Sequence, residues 1–375
     1  MVQFNTIFNT LSKNISSRPG KKSRLGVGRK AATDLAKEAK RNELLLTSSG
    51  AINARNCKTF TAGYSKRGKK GINQDCFVVW EEFGCQEDMV LCGVFDGHGP
   101  WGHFVAKTVR ELMPSLLLCN WQETVALNAE NRDYNLRQDT EHIQFDIWKQ
   151  SCYKTCAAVD QELLRHSGID SFYSGSTALA LVRQGDLMTI ASVGDSRAVL
   201  AMISEDGSLL ATQLTVDQKP NLPRESKRIT QSGGRVYCCP DEPGVQRVWM
   251  PDGETVKGPG LAVSRAFGDY YIKDFGLISD PEITQRKISS RDQFAILATD
   301  GVWDVISNQE AVEIVASTAE RAESAKILVE YAVSAWKQRG KNAVMDDISA
   351  VCLFFHDAIT ADQEVYDTKM NQKIM

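Results

Sequence analysis

Short apolar runs that stop at an aspartate constrain this chain more than any other feature. Residues 89–95 lead directly into Asp96-Gly97-His98-Gly99, and residues 188–193 lead into Gly194-Asp195-Ser196-Arg197. Residues 294–299 lead into Asp300-Gly301-Val302-Trp303-Asp304, while Met345-Asp346-Asp347 opens the run 348–355. Further runs lie at 76–80, 177–182, 198–203 and 209–214. Most are rich in Val, Ile, Leu or Phe and bounded by Gly, Asp or Ser, which reads as strands. Several are continuous rather than alternating, as strands covered on both faces are. The short connections 183–187 and 204–208 imply hairpins and antiparallel pairing.

Helical patterns separate these strands. Residues 104–119 have a helical apolar spacing, with Pro114 expected to kink or end the helix. Residues 145–165 form a second pattern. Pro223 starts a third, which stops at Gly233-Gly234. Ser307 is placed to cap a helix over 308–316, and residues 319–337 form the longest helical pattern of the C-terminal half. The polar stretch 120–141 reads as an excursion from the core. The class is therefore α+β, with antiparallel sheets and helices packed outside.

The ends of the chain differ from this body. Residues 1–42 hold ten Lys and Arg against two Asp and Glu, a balance of +8, so the rest carries −11 of the overall −3. Residues 1–56 read as a basic, flexible tail, with a short helix possible in sequence over 31–46. Residues 57–357 read as one folded domain and 358–375 as a second tail. No run approaches the roughly 18 apolar residues of a membrane span. The N-terminus has no apolar signal core, and Val2 replaces the Gly that myristoylation needs. The ten Cys make no paired C-x-x-C spacing, so reduced thiols in the cytoplasm or nucleus are expected. Lys21-Lys22-Ser23-Arg24 and Arg29-Lys30 are only a weak import signal.

Asp-Gly is also an ordinary turn dipeptide. Asp206-Gly207 and Asp252-Gly253 are explained that way, whereas Asp96 and Asp300 each follow a strongly apolar run. If the four strand ends converge, their carboxylates share one end of the sandwich. Each close pair then repels by about 4 kcal/mol at about 4 Å and an effective dielectric of about 20. Protons or cations must neutralise such a cluster, and oxygen-only donors favour Mg²⁺ or Mn²⁺ over Zn²⁺. Two such ions activate a water and stabilise a phosphoryl group. Other hydrolytic designs lack their signatures. No Cys has an Arg six residues on, no Asp-x-Asp occurs, and no phosphate loop or nucleophile elbow is present.

At these residues the chain resembles the metal-dependent serine/threonine protein phosphatases of type 2C, with the flavour of a plant member. The likeness runs in order over roughly 300 residues. It rests on Asn73-Gln74-Asp75, the segment Val94 to Gly99, Ser174-Gly175-Ser176-Thr177-Ala178, Gly194-Asp195-Ser196-Arg197, Lys219-Pro220 with Glu225, the segment Leu261 to Asp269, the segment Ala298 to Asp304, and Asp346-Asp347-Ile348-Ser349. The resemblance implies a four-layer αββα sandwich, two packed antiparallel sheets flanked by helices, and hydrolysis of phosphoserine and phosphothreonine in phosphoprotein substrates by a hydroxide bridging two Mg²⁺ or Mn²⁺ ions. It implies that Asp96 bridges both metals, that the Gly97 carbonyl binds the second, and that Asp300 and Asp346 complete the first. Asp195 and Asp304 match positions for a third, weaker ion, and Asp75 one that anchors metal-bound water. His98 matches the general acid for the leaving alkoxide. A positioned acid near neutral pKa is worth typically about 10²–10⁴-fold, although a turn His packed in the core is the alternative. His103, His142, His166 and His356 lack such context.

Two positions depart from many relatives. Gln74 stands where a Glu binds the second metal, and Lys70 stands where an Arg binds phosphate. An amide brings no charge, and Lys offers a point charge instead of a fork. Weaker second-metal affinity is expected. Residues 217–260 read as a mobile flap beside the site. Arg224, Lys227 and Arg228 read as a solvated helix face, with steering of phosphate as the alternative, and Trp249 as either a partner contact or a flap anchor. A monomer without a membrane span is expected. The rival readings are a catalytically silent scaffold of the same fold and a two-metal nuclease. The acidic body disfavours the nuclease, so nucleic acid is not expected as a partner.

Overall fold

The computed structural model describes residues 51–52, 60–130, 140–240, 242–251, 259–340 and 343–356. The tails at 1–50 and 357–375, including the helix expected over 31–46, lie outside the described residues. Eleven strands form the two main sheets. In chain order they are β1 (Ala51–Ile52), β2 (Phe60–Lys66), β3 (Cys76–Glu81), β4 (Met89–Phe95), β5 (Ala178–Gln184) and β6 (Leu187–Val193). They continue with β7 (Arg197–Ile203), β8 (Leu209–Gln213), β9 (Glu282–Lys287), β10 (Asp292–Ala298) and β11 (Ile348–Phe354). The first sheet runs β1-β3-β4-β5-β6-β9 and the second β8-β7-β10-β11-β2. All pairs are antiparallel except β1 with β3, where Ala51 and Ile52 pair with Val79 and Trp80. Strand β1 of this edge pair falls within the segment read as tail.

The continuous apolar runs follow from burial on both faces. In β4, Val90, Cys92 and Val94 face the core between the sheets. Met89, Leu91 and Phe95 face the opposite core, against helices α1 (Gly102–Glu130) and α2 (Thr140–Arg165). In β10, Ala295 and Leu297 point between the sheets, whereas Phe294, Ile296 and Ala298 point the other way. After α3 (Pro223–Gln231), the helices α4 (Asn308–Ala316) and α5 (Ser324–Gln338) cover that second outer face through Val312, Leu328 and Val329. Helix, sheet, sheet and helix thus stack in order. Each fully buried Leu, Ile, Phe or Met side chain contributes about 1.5–3 kcal/mol.

Ser307 caps α4 as expected, and Glu310 completes a capping box. Helix α1 corrects the reading of 120–141 as an excursion. It passes through the buried Pro114 and continues to Glu130. The polar residues there bond back along the helix, Thr124 Oγ1 to Asn120 O at 2.7 Å and Asn128 Nδ2 to Thr124 O at 2.8 Å. Asn120 Nδ2 also donates to Thr155 Oγ1 of α2 at 2.9 Å, and the Trp121 and Trp148 rings stack at 5.4 Å. Packing on α2 therefore outweighs the proline. Among the described residues, no helix is long and apolar enough to cross a membrane.

Candidate active site

The two sheets end together around a cleft of about 350 Å³. Asp96 follows β4, Asp195 follows β6, Asp300 follows β10 and Asp346 precedes β11. All four line the cleft with Lys70, Gln74, Gly97 and His98. Thr177 ties Asp96 in place, donating its N–H to Asp96 O at 2.8 Å and accepting from Asp96 N at 3.1 Å. A single helical turn, Asp300–Trp303, carries Asp300. Two indoles pin it, Trp303 Nε1 to Ala298 O at 2.9 Å and Trp336 Nε1 to Gly301 O at 2.7 Å. This explains the bulky residues after that Asp-Gly. Gly97 is required by space, since a Cβ there would come 2.4 Å from Gly102 O and 2.7 Å from Gln74 O.

The carboxylates are held against their own repulsion. Burial, then the charges of Asp75, Asp300 and Asp346, push the Asp96 carboxyl well up. Burial, then Asp195 and Asp346, push Asp300 up to about 8. Lys70 Nζ sits 2.5 Å from Asp346 Oδ2, and Lys219 Nζ bonds Asp195 Oδ2. Asp300 Oδ1 is buried without a hydrogen-bond partner among the described residues. An oxygen-only donor set with an unpaired buried carboxylate oxygen fits a hard divalent cation. The acids line one cleft but are not closed on one point. Among the described residues, no three His, Cys, Asp or Glu side chains gather into a ready ion cage.

His98 reaches the site through a small sheet of Gly97–His98, Gly175–Ser176 and Phe267–Gly268. Its register sets both His98 and Gly268 opposite Gly175. Asp269, next in the chain, bonds His98 Nε2 through Oδ2 at 2.6 Å and is 1 % exposed. Gly175 leaves room for the pair, because a Cβ there would lie 2.0 Å from Asp269 Oδ2. Asp269 adopts φ of +51°, a left-handed conformation costly for a non-glycine residue. Burial alone would lower the His98 pKa, but the charge and hydrogen bond of Asp269 outweigh it and raise it.

The other expected site residues stand differently. Asp75 lies beneath the cleft, 3 % exposed, and accepts from Thr299 Oγ1 at 2.7 Å. Gln74 braces the glycine loop, donating Nε2 to Gly99 O at 2.9 Å. Asp304 does not line the cleft. It is half-exposed beside Arg339, 3.9 Å from Nη1. In the flap, Arg228 departs from the expected solvated face. It donates to Glu225 Oε2, Gly276 O and Ser264 O, each at 2.8 Å. Trp249 is an anchor: its ring stacks on Tyr237 at 5.1 Å and Nε1 donates to Tyr237 O at 3.2 Å. Residues 252–258 of the flap lie outside the described residues.

Sequence reasoning missed four contributors. Asp269 was visible only as the end of a motif, and Lys219 only beside Pro220. Asp347 accepts Gly68 N at 2.7 Å and Gln74 N at 2.8 Å, which ties two cleft-lining segments to the start of β11. Arg247, from the flap strand Gln246–Trp249, lines the cleft with its guanidinium steadied by Glu242 Oε2 at 2.8 Å and Gly260 O at 3.0 Å. No local signal marked it.

Comparison with known proteins agrees with this architecture. Residues 65–339 match the family model described as protein phosphatase 2C. The chain is 58 % identical over 360 residues to a protein of Arabidopsis thaliana named probable protein phosphatase 2C 73, covering 96 % of each. It is equally similar to probable protein phosphatase 2C 34 of the same plant, covering 96 % of this chain and 98 % of the other. A crystal structure of serine-threonine phosphatase 2C from Toxoplasma gondii superposes with a TM-score of 0.69 at 26 % identity, over 81 % of this chain and 97 % of that one. The chain therefore belongs to the protein phosphatase 2C family of metal-dependent serine/threonine phosphatases.

Proposed function

We propose that the cleft divides the work of phosphoester hydrolysis between an acidic floor and a protonated rim. Asp96, the Gly97 carbonyl, Asp300 and Asp346 would hold two Mg²⁺ or Mn²⁺ ions. Asp195 would serve a weaker third; the position of Asp304 outside the cleft does not support the same role for it, and Gln74 and Asp75 would orient bound water. Such cations activate a water and neutralise charge on the phosphoryl group. Lys70 and Arg247 draw the phosphate into the cleft by their positive charge. His98 delivers a proton to the departing serine or threonine oxygen, and Asp269 holds its ring and favours its protonated form. Gly175 keeps that pair in contact.

The observation that carries this reading is the partnerless, buried Asp300 Oδ1 at the meeting point of both sheets. The setting it fits is a monomer acting on phosphoproteins in the cytoplasm or nucleus. Hydrolysis of a phosphothreonine peptide with Mn²⁺ tests it: Asp96→Asn and Asp300→Asn should abolish turnover in folded protein. Retained turnover in either variant, or turnover insensitive to EDTA, contradicts it.

A further inference from the structure

A second cleft, of about 620 Å³, lies on the far side of the wall that carries Asp195. Phe145, Tyr153, Val216 and Ile283 give it an apolar lining. Tyr153 is 41 % and Val216 47 % exposed, so neither has a covering partner among the described residues. At its edge stand Lys149 and Arg224, which form no ion pair among the described residues; Lys149 Nζ sits 6.0 Å over the Phe145 ring. The carboxylates in the lining are Glu225 and Glu282. Glu225 is already consumed, forked by Arg265 at 2.7 Å and 3.1 Å and bonded by Arg228 at 2.8 Å. Glu282 faces Arg265. In a body with a strongly negative balance, an apolar cleft edged by two unpaired cations is complementary to an acidic, apolar ligand.

Gln218 and Lys219, adjacent in the chain, link the two clefts. Gln218 lines the second cleft and accepts Gly194 N at 2.7 Å, while its neighbour Lys219 reaches Asp195 in the first. Ser264 Oγ, 2.8 Å from Gln218 O and 2.7 Å from Glu225 Oε2, ties the wall to the floor of the second cleft. A chain whose phosphorylated residue enters the catalytic cleft can lay its flanking residues over this wall, since about eight extended residues reach about 26–29 Å.

We propose that the second cleft docks an acidic, apolar segment flanking the phosphorylated residue of the protein substrate. The proposal rests on the phosphatase reading above and adds to it a determinant of substrate choice outside the reacting centre. Kinetics on three phosphothreonine peptides test it: a short core, and the same core extended by about eight residues of alternating Glu and Leu or Phe on one side or the other. For the wild-type chain, one extension should lower KM by about tenfold with kcat unchanged. Lys149→Glu with Arg224→Glu, and separately Val216→Asp, should remove that advantage and leave the core peptide and p-nitrophenyl phosphate unaffected. If neither extension lowers the wild-type KM, or the lowering survives in both variants, the docking site is refuted. Turnover of p-nitrophenyl phosphate by all three proteins separates that outcome from a failure of the catalytic reading, in which the small substrate would not turn over either.

Discussion

Asp300 in the cleft and Glu225 beneath the flap are both withdrawn from water, yet their carboxyls move in opposite directions. Burial raises both, but Asp300 also faces Asp195 and Asp346, and its carboxyl rises to about 8. For Glu225, hydrogen bonds from Arg265, Arg228 and Ser264 overcome the burial, and its carboxyl falls to about 2. Partners decide the outcome: a buried acid with its own cations is a structural tie, and one without them is a place for an ion from outside.

Neutral substitutions should separate the two most sharply. Asp300→Asn should cost more than about 10³-fold in turnover of a phosphothreonine peptide while thermal unfolding without metal stays the same or moves upward, because repulsion is relieved. A comparable loss of stability would make Asp300 a structural acid as well. Between these extremes, Asp269→Asn should lower kcat by about 10²-fold. The proton donor must be charged, so activity falls as pH rises through the His98 pKa. Without Asp269 burial dominates, and that alkaline limb should move to lower pH; an unmoved limb would show that Asp269 only supports the fold.

Glu225→Gln should leave chemistry on p-nitrophenyl phosphate intact and destabilise the chain by about 3 kcal/mol in denaturant unfolding, since it strands two guanidinium groups. The tie made by Glu225 should be fully present above its unfolded pKa of about 4.3 and lost as pH falls toward about 2. The smallest effect concerns Gln74→Glu, which should lower the half-saturating Mn²⁺ concentration by about tenfold. An unchanged value would leave Gln74 as a brace of the Gly99 loop and nothing more.

Much of this was readable along the chain, for a definite reason. Strands covered on both faces are continuously apolar, so the aspartates that end them stand out, and Asp96, Asp195, Asp300 and Asp346 were found that way. The pairing of His98 with Asp269 was not, because it spans 171 positions and depends on the register of three two-residue strands. Arg247 was hidden for a similar reason, since only the flap hairpin carries it over the cleft. The extension of α1 past Asn120 depends on contacts with α2 that local propensity does not contain. Arg228 looked solvent-facing because two of its three acceptors, Gly276 O and Ser264 O, lie in other segments.

The central claim is that the buried acids around Asp300 form a cation site, and thermal unfolding as a function of pH and Mn²⁺ tests it most directly. Asp300 binds its proton more tightly when folded, so its contribution to stability without metal is present below its unfolded pKa and lost as pH rises through about 8. At that pH, Mn²⁺ at about a hundred times its dissociation constant should restore about 2.7 kcal/mol to the wild-type chain and far less to Asp300→Asn. Equal stabilisation of both proteins, or none of the wild type, would contradict the account.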